Sequence, residues 1–175
     1  MDTFGAAGAL RLIDSHAHLT DERFDTDRAE VLVRAADTGV EAVVVIGHDL
    51  ESSQQVVRLV SPGTDDDSRA PALFGTVGFA PHNVAEAQAS ARAEVQTLLS
   101  RPRIVGVGEI GLDYYYDMPP DEQRELFGEQ LQWAVQRQLP VVVHSRDAED
   151  DVLAMIRDAG ADAIRERSRL RGVIH

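Results

Sequence analysis

The chain has 175 residues, 43% of them hydrophobic, which suffices for one domain with an ordinary core. Thirty acidic and 17 basic residues give a net charge of −13, which argues against a protein that binds nucleic acid through a basic surface alone. The absence of cysteine excludes disulfides and thiolate metal sites, so any metal must be held by histidine, aspartate or glutamate.

The N-terminal segment, residues 1–10, has neither a basic region nor a long apolar run. No stretch of the chain approaches the ~18 consecutive apolar residues that a membrane-spanning helix needs. We therefore expect a cytoplasmic protein that does not cross a membrane.

Short apolar strands alternate with amphipathic helices along the chain. The pattern predicts strands at residues 10–14, 40–46, 73–78, 104–110, 141–144 and 172–175. It predicts helices at 27–37, from an Asp49 cap to about 60, after Asn83 to about 100, at 121–138 and at 148–159, and a polar loop at 61–70. Uninterrupted alternation of this kind indicates a parallel sheet in an α/β fold.

Two parallel architectures fit this alternation, a doubly wound open sheet and a (β/α)₈ barrel. No glycine-rich phosphate-binding fingerprint follows the first strand, which disfavours a dinucleotide-binding open sheet. A complete barrel needs ~250 residues. We therefore expect a partial TIM (β/α)₈-type barrel with about six of the eight parallel strands, formed by a single incomplete domain over residues 1–175.

Polar side chains recur where the predicted strands end, which is where both architectures place their active sites. They are His16 and His18 after the first strand, His82 after the third, Glu109 after the fourth, His144 and Arg146 after the fifth, and His175 after the sixth.

Two of these strand ends indicate a metal site. His16 and His18 are two residues apart, so strand geometry points both rings to one side. Glu109 follows an apolar, glycine-rich strand, where a buried carboxylate is costly unless a cation or donors compensate it. The remaining roles stay open: His82 either supports its loop or contacts a substrate, and Arg146 either pairs with nearby aspartates or faces a phosphate.

Four segments resemble, in order and spacing, the motifs of the TatD-like metal-dependent deoxyribonucleases, which have an amidohydrolase-like TIM barrel. They are residues 12–19 (LIDSHAHL), 107–114 (VGEIGLDY), 139–146 (LPVVVHSR) and 172–175 (GVIH). The resemblance implies DNA as the substrate and a centre of two divalent ions, Mg²⁺, Mn²⁺ or Zn²⁺. Several members of the family are 3′-to-5′ exonucleases.

The resemblance also implies a role for each residue. His16 and His18 would hold one metal, His144 and His175 the second, and Glu109 would bridge both and act in catalysis. His82 and Arg146 would bind the substrate. The family's further aspartate, near the end of strand 8, would lie beyond His175. We therefore expect this chain to be truncated and itself inactive, with unpaired sheet edges that allow self-association.

Two alternatives also fit the sequence. One is an amidohydrolase-class enzyme acting on C–N or carboxyl ester bonds. Many such enzymes bridge their metals with a carboxylated lysine, whereas all 17 basic residues here are arginine, which disfavours that subtype. The other alternative is an inactive fragment of a metal-dependent nuclease.

Overall fold

The computed structural model describes residues 11–63, 69–165 and 171–175. Within these ranges strands and α-helices alternate. The strands are β1 (Leu12–Ala17), β2 (Val40–Ile46), β3 (Ala72–Val77), β4 (Ile104–Asp113), β5 (Val141–Arg146) and β6 (Gly172–Ile174). The helices are α1 (Arg28–Asp37), α2 (Leu50–Val60), α3 (Ala89–Leu98), α4 (Pro120–Arg137) and α5 (Glu149–Arg165), with two short 3₁₀ helices at Glu22–Phe24 and Pro81–Glu86.

The six strands form one sheet in chain order, and every neighbouring pair is parallel. Consecutive strands are therefore neighbours in space, and all six C-terminal ends lie at one edge of the sheet. This is the strand order of a (β/α) barrel. In a doubly wound sheet, by contrast, the order of the strands reverses at a switch point within the sheet. The predicted α/β fold, a partial TIM-type barrel with six parallel strands, is confirmed.

Strand β4 is three residues longer than the sequence predicted, because Gly111 lets it continue beside β5. Gly111 has a φ of +138°, and a Cβ atom there would lie 2.0 Å from the carbonyl oxygen of His144. Only glycine allows this close approach. The extension pairs Asp113 with Arg146 and brings a second carboxylate to the C-terminal edge.

The third predicted helix is divided in two. The segment Pro81–Glu86 is a 3₁₀ helix with a non-helical conformation at Asn83, and α3 begins only at Ala89, after the extended residue Gln88. The other helices agree with the prediction at their N-terminal ends to within one residue, while α5 continues past the predicted end at 159. Residue 10 of the first predicted strand and residues 64–68 of the predicted loop lie outside the described residues.

The core lies between the sheet and its helices, and α4 fixes two strand ends to it. The buried Gln130 accepts a hydrogen bond from the Phe79 N–H (2.8 Å) and donates one to the Phe79 carbonyl (3.0 Å). The buried Gln123 makes the same pair of bonds with the backbone of Asp113, at 2.8 and 2.9 Å. The chain beyond β3 and the end of β4 are thereby held against one helix. None of the helices in the described ranges combines the length and apolarity required to traverse a lipid bilayer.

Candidate metal centre

Glu109 stands at the centre of the C-terminal edge, 6% exposed, with histidines on both sides of its carboxylate. Its Oε1 lies 3.0 Å from Nε2 of His175 and 3.2 Å from Nδ1 of His144. Its Oε2 lies 3.7 Å from Nε2 of His16 and 3.6 Å from Nε2 of His18. Each carboxylate oxygen thus faces a different pair of imidazoles.

The two imidazole pairs come from strands at opposite ends of the strand order. His16 and His18 are at the end of β1, and their Nε2 atoms are 3.1 Å apart. His175 follows β6, the other outermost strand of the six, yet its ring centroid is only 4.1 Å from that of His16. The sheet therefore curves until the C-terminal ends of its first and last strands meet.

The surroundings of Glu109 favour its ionised form, while burial shifts two of the four imidazoles toward the neutral form. Burial raises the pKa of Glu109, but a hydrogen bond from His144 and the nearby histidine charges outweigh it and bring that pKa to about 2. Burial lowers the pKa values of His16 and His18. The hydrogen bond to Glu109 raises the pKa of His144 against the effect of burial.

Asp113 belongs to the same site, although it is not among the site residues predicted from the sequence. Its Oδ2 lies 2.9 Å from Nε2 of His144 and 3.0 Å from Nε2 of His82. Its Oδ1 accepts hydrogen bonds from the backbone N–H groups of Tyr115 and Tyr116, at 3.0 and 3.4 Å. Asp113 is fully buried; burial raises its pKa, but these hydrogen bonds outweigh it and lower the pKa overall.

The missed aspartate had a signal in the sequence. Asp113 follows Ile110 and Leu112, both of which are fully buried, so its carboxylate needed a buried partner just as that of Glu109 did. The sequence pattern predicts a strand that ends at residue 110 and so places Asp113 in a loop.

The two predicted substrate contacts, His82 and Arg146, are exposed at the rim of this site. Arg146 places its guanidinium carbon 3.7 Å from the centroid of the Tyr115 ring and 5.2 Å from that of Tyr116. The ring of His82 lies 5.2 Å from that of His144 and 5.5 Å from that of Tyr116, centroid to centroid. The structure thus brings all seven predicted site residues to one edge of the sheet.

Two groups of side chains have ligand atoms close enough together for a metal ion. One is His16, Glu109 and His175, and the other is His82, Asp113 and His144; within each group the ligand atoms lie within 4.8 Å of one another. Imidazoles and carboxylates are the ligands that a cysteine-free chain can offer to a divalent ion. In addition, the buried Nδ1 atom of His16 has no hydrogen-bond partner among the described residues.

The sequence matches a known family over most of its length. A family model described as "TatD related DNase" matches residues 13–175. The chain is 32% identical over 154 residues to "Uncharacterized metal-dependent hydrolase YabD" of Bacillus subtilis (strain 168), covering 87% of this chain and 58% of that protein. It is 31% identical over 146 residues to "3'-5' ssDNA/RNA exonuclease TatD" of Salmonella typhimurium, covering 83% of this chain and 54% of that protein. The chain therefore spans a little over half the length of these relatives.

Solved structures agree with the sequence matches. The crystal structure of YJJV, a TatD homologue from Escherichia coli K12, superposes with a TM-score of 0.78 at 28% identity, covering 94% of this chain and 60% of that one. A TatD family hydrolase from Entamoeba histolytica also gives a TM-score of 0.78, at 20% identity, and so supports the fold alone.

Proposed function

The chain belongs to the TatD-related DNase family, a family of metal-dependent hydrolases and nucleases, and from that premise we propose that its C-terminal edge is the metal site of a phosphodiesterase acting on DNA. The observation that carries the proposal is the Glu109 carboxylate, whose two oxygens face two different pairs of imidazoles. A carboxylate in this position suits a ligand shared by two cations. Neither an amidohydrolase nor an inactive fragment is favoured by the family match.

The imidazoles that face each oxygen of Glu109 support a division of the ligands between two divalent ions. His16 and His18 would hold one ion with Oε2 of Glu109, and His144 and His175 the other with Oε1. Four imidazoles and one carboxylate form a nitrogen-rich set, which suits Zn²⁺ or another transition metal better than Mg²⁺, an ion that prefers oxygen ligands. Among Mg²⁺, Mn²⁺ and Zn²⁺, we therefore propose Zn²⁺.

When bound, such a pair of ions would supply an activated water and stabilise the attacking and leaving oxygens during in-line displacement at phosphorus. The chain's own residues have distinct tasks around it. Glu109 holds the two halves of the site together. Arg146 carries an exposed positive charge at the rim and would contact phosphate oxygens. His82, half exposed and hydrogen-bonded to Asp113, would contact the substrate beside it.

Asp113 acts through His144. A carboxylate only accepts hydrogen bonds, so a metal bound in place of the proton on Nδ1, the atom that faces Glu109, would leave the His144 proton on Nε2, where the ionised Asp113 accepts it. Metal-binding histidines are commonly oriented in this way by a carboxylate. We assign Asp113 this positioning role.

Calorimetric titration with Zn²⁺ and Mn²⁺ is the primary test, since the chain spans only part of its relatives' length and all five proposed metal ligands lie within it. We expect two ions per chain, and loss of both tight sites in Glu109→Gln. A stoichiometry of zero, or a Glu109→Gln protein that binds like the wild type, would overturn the proposal. Release of nucleotides from single-stranded DNA, measured with the same metals, tests the phosphodiesterase step, with Glu109→Gln as the inactive control.

A further inference from the structure

Two large aromatic rings are exposed beside the candidate metal centre. Tyr115 is 59% exposed and Tyr116 is 49% exposed. The other exposed large apolar residues of the described chain lie on β1, on β6 and on α5. Of these exposed residues, only Tyr115 and Tyr116 lie in a loop at the C-terminal edge. Membership of a strand or a helix therefore does not account for their exposed apolar surface.

The loop that carries the two rings is held in place by the site itself. Oδ1 of the buried Asp113 accepts the N–H groups of both Tyr115 and Tyr116, while its other oxygen binds His82 and His144. The rings are also ordered with respect to each other, perpendicular with centroids 5.0 Å apart. Their position relative to the histidines is therefore fixed by one side chain.

A continuous series of rings connects this pair to the metal centre. The Tyr116 ring is 5.5 Å from that of His82, and His82 is 5.2 Å from His144, whose Nδ1 contacts Glu109. A single ring, that of His82, thus links Tyr116 to a candidate metal ligand. A nucleotide whose phosphate lay at the histidines would have its base within reach of the tyrosines.

Arg146 supplies the charge that such a ligand needs. Its guanidinium stacks on the Tyr115 ring, and its Nη1 donates a hydrogen bond to the Tyr116 hydroxyl at 3.4 Å. A chain with a net charge of −13 has little general attraction for a polyanion, so a local arginine next to the rings matters more than in a basic protein. Exposed aromatic rings combined with arginine are the recurring means of binding single-stranded nucleic acid without sequence preference.

We propose that Tyr115 and Tyr116, with Arg146, form a nucleobase-stacking subsite that receives an unpaired base of a single-stranded polynucleotide next to the cleaved phosphodiester. This inference rests on the proposed function and extends it from the phosphate to the base. A base inside a duplex presents no free face to a protein ring, so the subsite selects single strands or frayed ends. Because every base has a π face, it does not select sequence.

The test separates contact with the base from contact with the backbone. An oligothymidylate is compared with an abasic oligomer of equal length, both with phosphorothioate linkages to slow hydrolysis. Fluorescence anisotropy measures the affinity of the chain for each in the presence of Zn²⁺ or Mn²⁺. We expect the wild-type chain to bind the oligothymidylate roughly 10-fold or more tightly than the abasic oligomer, since stacking on two rings is lost in the latter.

A matched pair of double variants identifies the rings as the cause. Tyr115→Leu with Tyr116→Leu keeps apolar side chains in the loop but removes both π faces, so the preference for the base-containing ligand should disappear. Tyr115→Phe with Tyr116→Phe should retain it. Wild-type protein that binds both oligonucleotides equally, or a leucine variant that keeps the preference, overturns the stacking subsite. Wild-type protein that binds neither oligonucleotide overturns the subsite together with the proposed action on nucleic acid.

Discussion

Replacing Asp113 by asparagine should weaken metal binding without removing any of the five proposed metal ligands. Asp113 accepts two hydrogen bonds at each oxygen, from the backbone N–H groups of Tyr115 and Tyr116 on one side and from His82 and His144 on the other. An amide has only one oxygen. Whichever way it is oriented, its NH₂ group meets two donors, and the side chain is too deeply buried for water to intervene.

The backbone donors cannot change, whereas an imidazole can move its proton. We therefore expect the NH₂ group of the introduced amide to face the histidines and to force the His144 proton onto Nδ1, the atom that faces Glu109. Loss of a carboxylate that orients a metal-binding histidine typically costs 10–100-fold in metal affinity, which is about 1.4–2.8 kcal/mol.

Calorimetric titration of Asp113→Asn with Zn²⁺ near neutral pH measures this loss. Asp121→Asn is the matched control, because the Asp121 side chain is 99% exposed on α4 and should bind metal like the wild type. Circular dichroism establishes that both variants fold. A folded Asp113→Asn protein with unchanged Zn²⁺ affinity would refute the role of Asp113 in selecting the His144 tautomer.

Three further changes test the surrounding structure. Gln123→Leu leaves a buried backbone N–H and C=O at the end of β4 unpaired and should lower the free energy of unfolding by roughly 2–4 kcal/mol. The control, Glu122→Leu at the exposed neighbouring position, should lower it by less than about 0.5 kcal/mol. Urea denaturation of the two variants measures the difference. Zn²⁺ affinity should fall as pH falls from about 8 to 6, because metal ions bind only the neutral imidazole. The raised pKa of His144 makes its proton compete with the metal over a range that extends above pH 6.5, whereas Glu109, with a pKa of about 2, stays charged. An affinity that rises on acidification contradicts this. Ile13 is 70% exposed on the outermost strand β1, so Ile13→Lys should reduce self-association of the chain, and identical light scattering from both proteins would show that β1 is not the contact.

The sequence was sufficient for the fold because each of its signals was local. The valine-rich strand β2 was placed at residues 40–46 without error, since a run that is apolar on both faces fits a buried parallel strand. The Asp49 cap of α2 was equally clear, and Asp49 accepts the N–H of Ser52. Repeated alternation of such elements left few topologies open.

Long-range contacts explain what the sequence could not provide. The end of β4 depends on how closely Gly111 approaches β5, and that approach is visible only in the assembled sheet. The connection of Asp113 to His82 and His144 joins residues 31 positions apart in both directions along the chain. Likewise, nothing local to Arg146 distinguishes an ion pair from its observed stacking on Tyr115.

The meeting of His16 and His175 affects more than catalysis. These residues lie on the two outermost strands of the sheet and enclose nearly the whole chain between them. Two ions that share the Glu109 carboxylate, one held by His16 and the other by His175, would cross-link the two margins of the barrel wall, and a cross-link that closes so long a loop restricts the unfolded chain strongly. Folding and metal uptake would then be one linked equilibrium, in which the supply of the ion sets how much of the protein is folded.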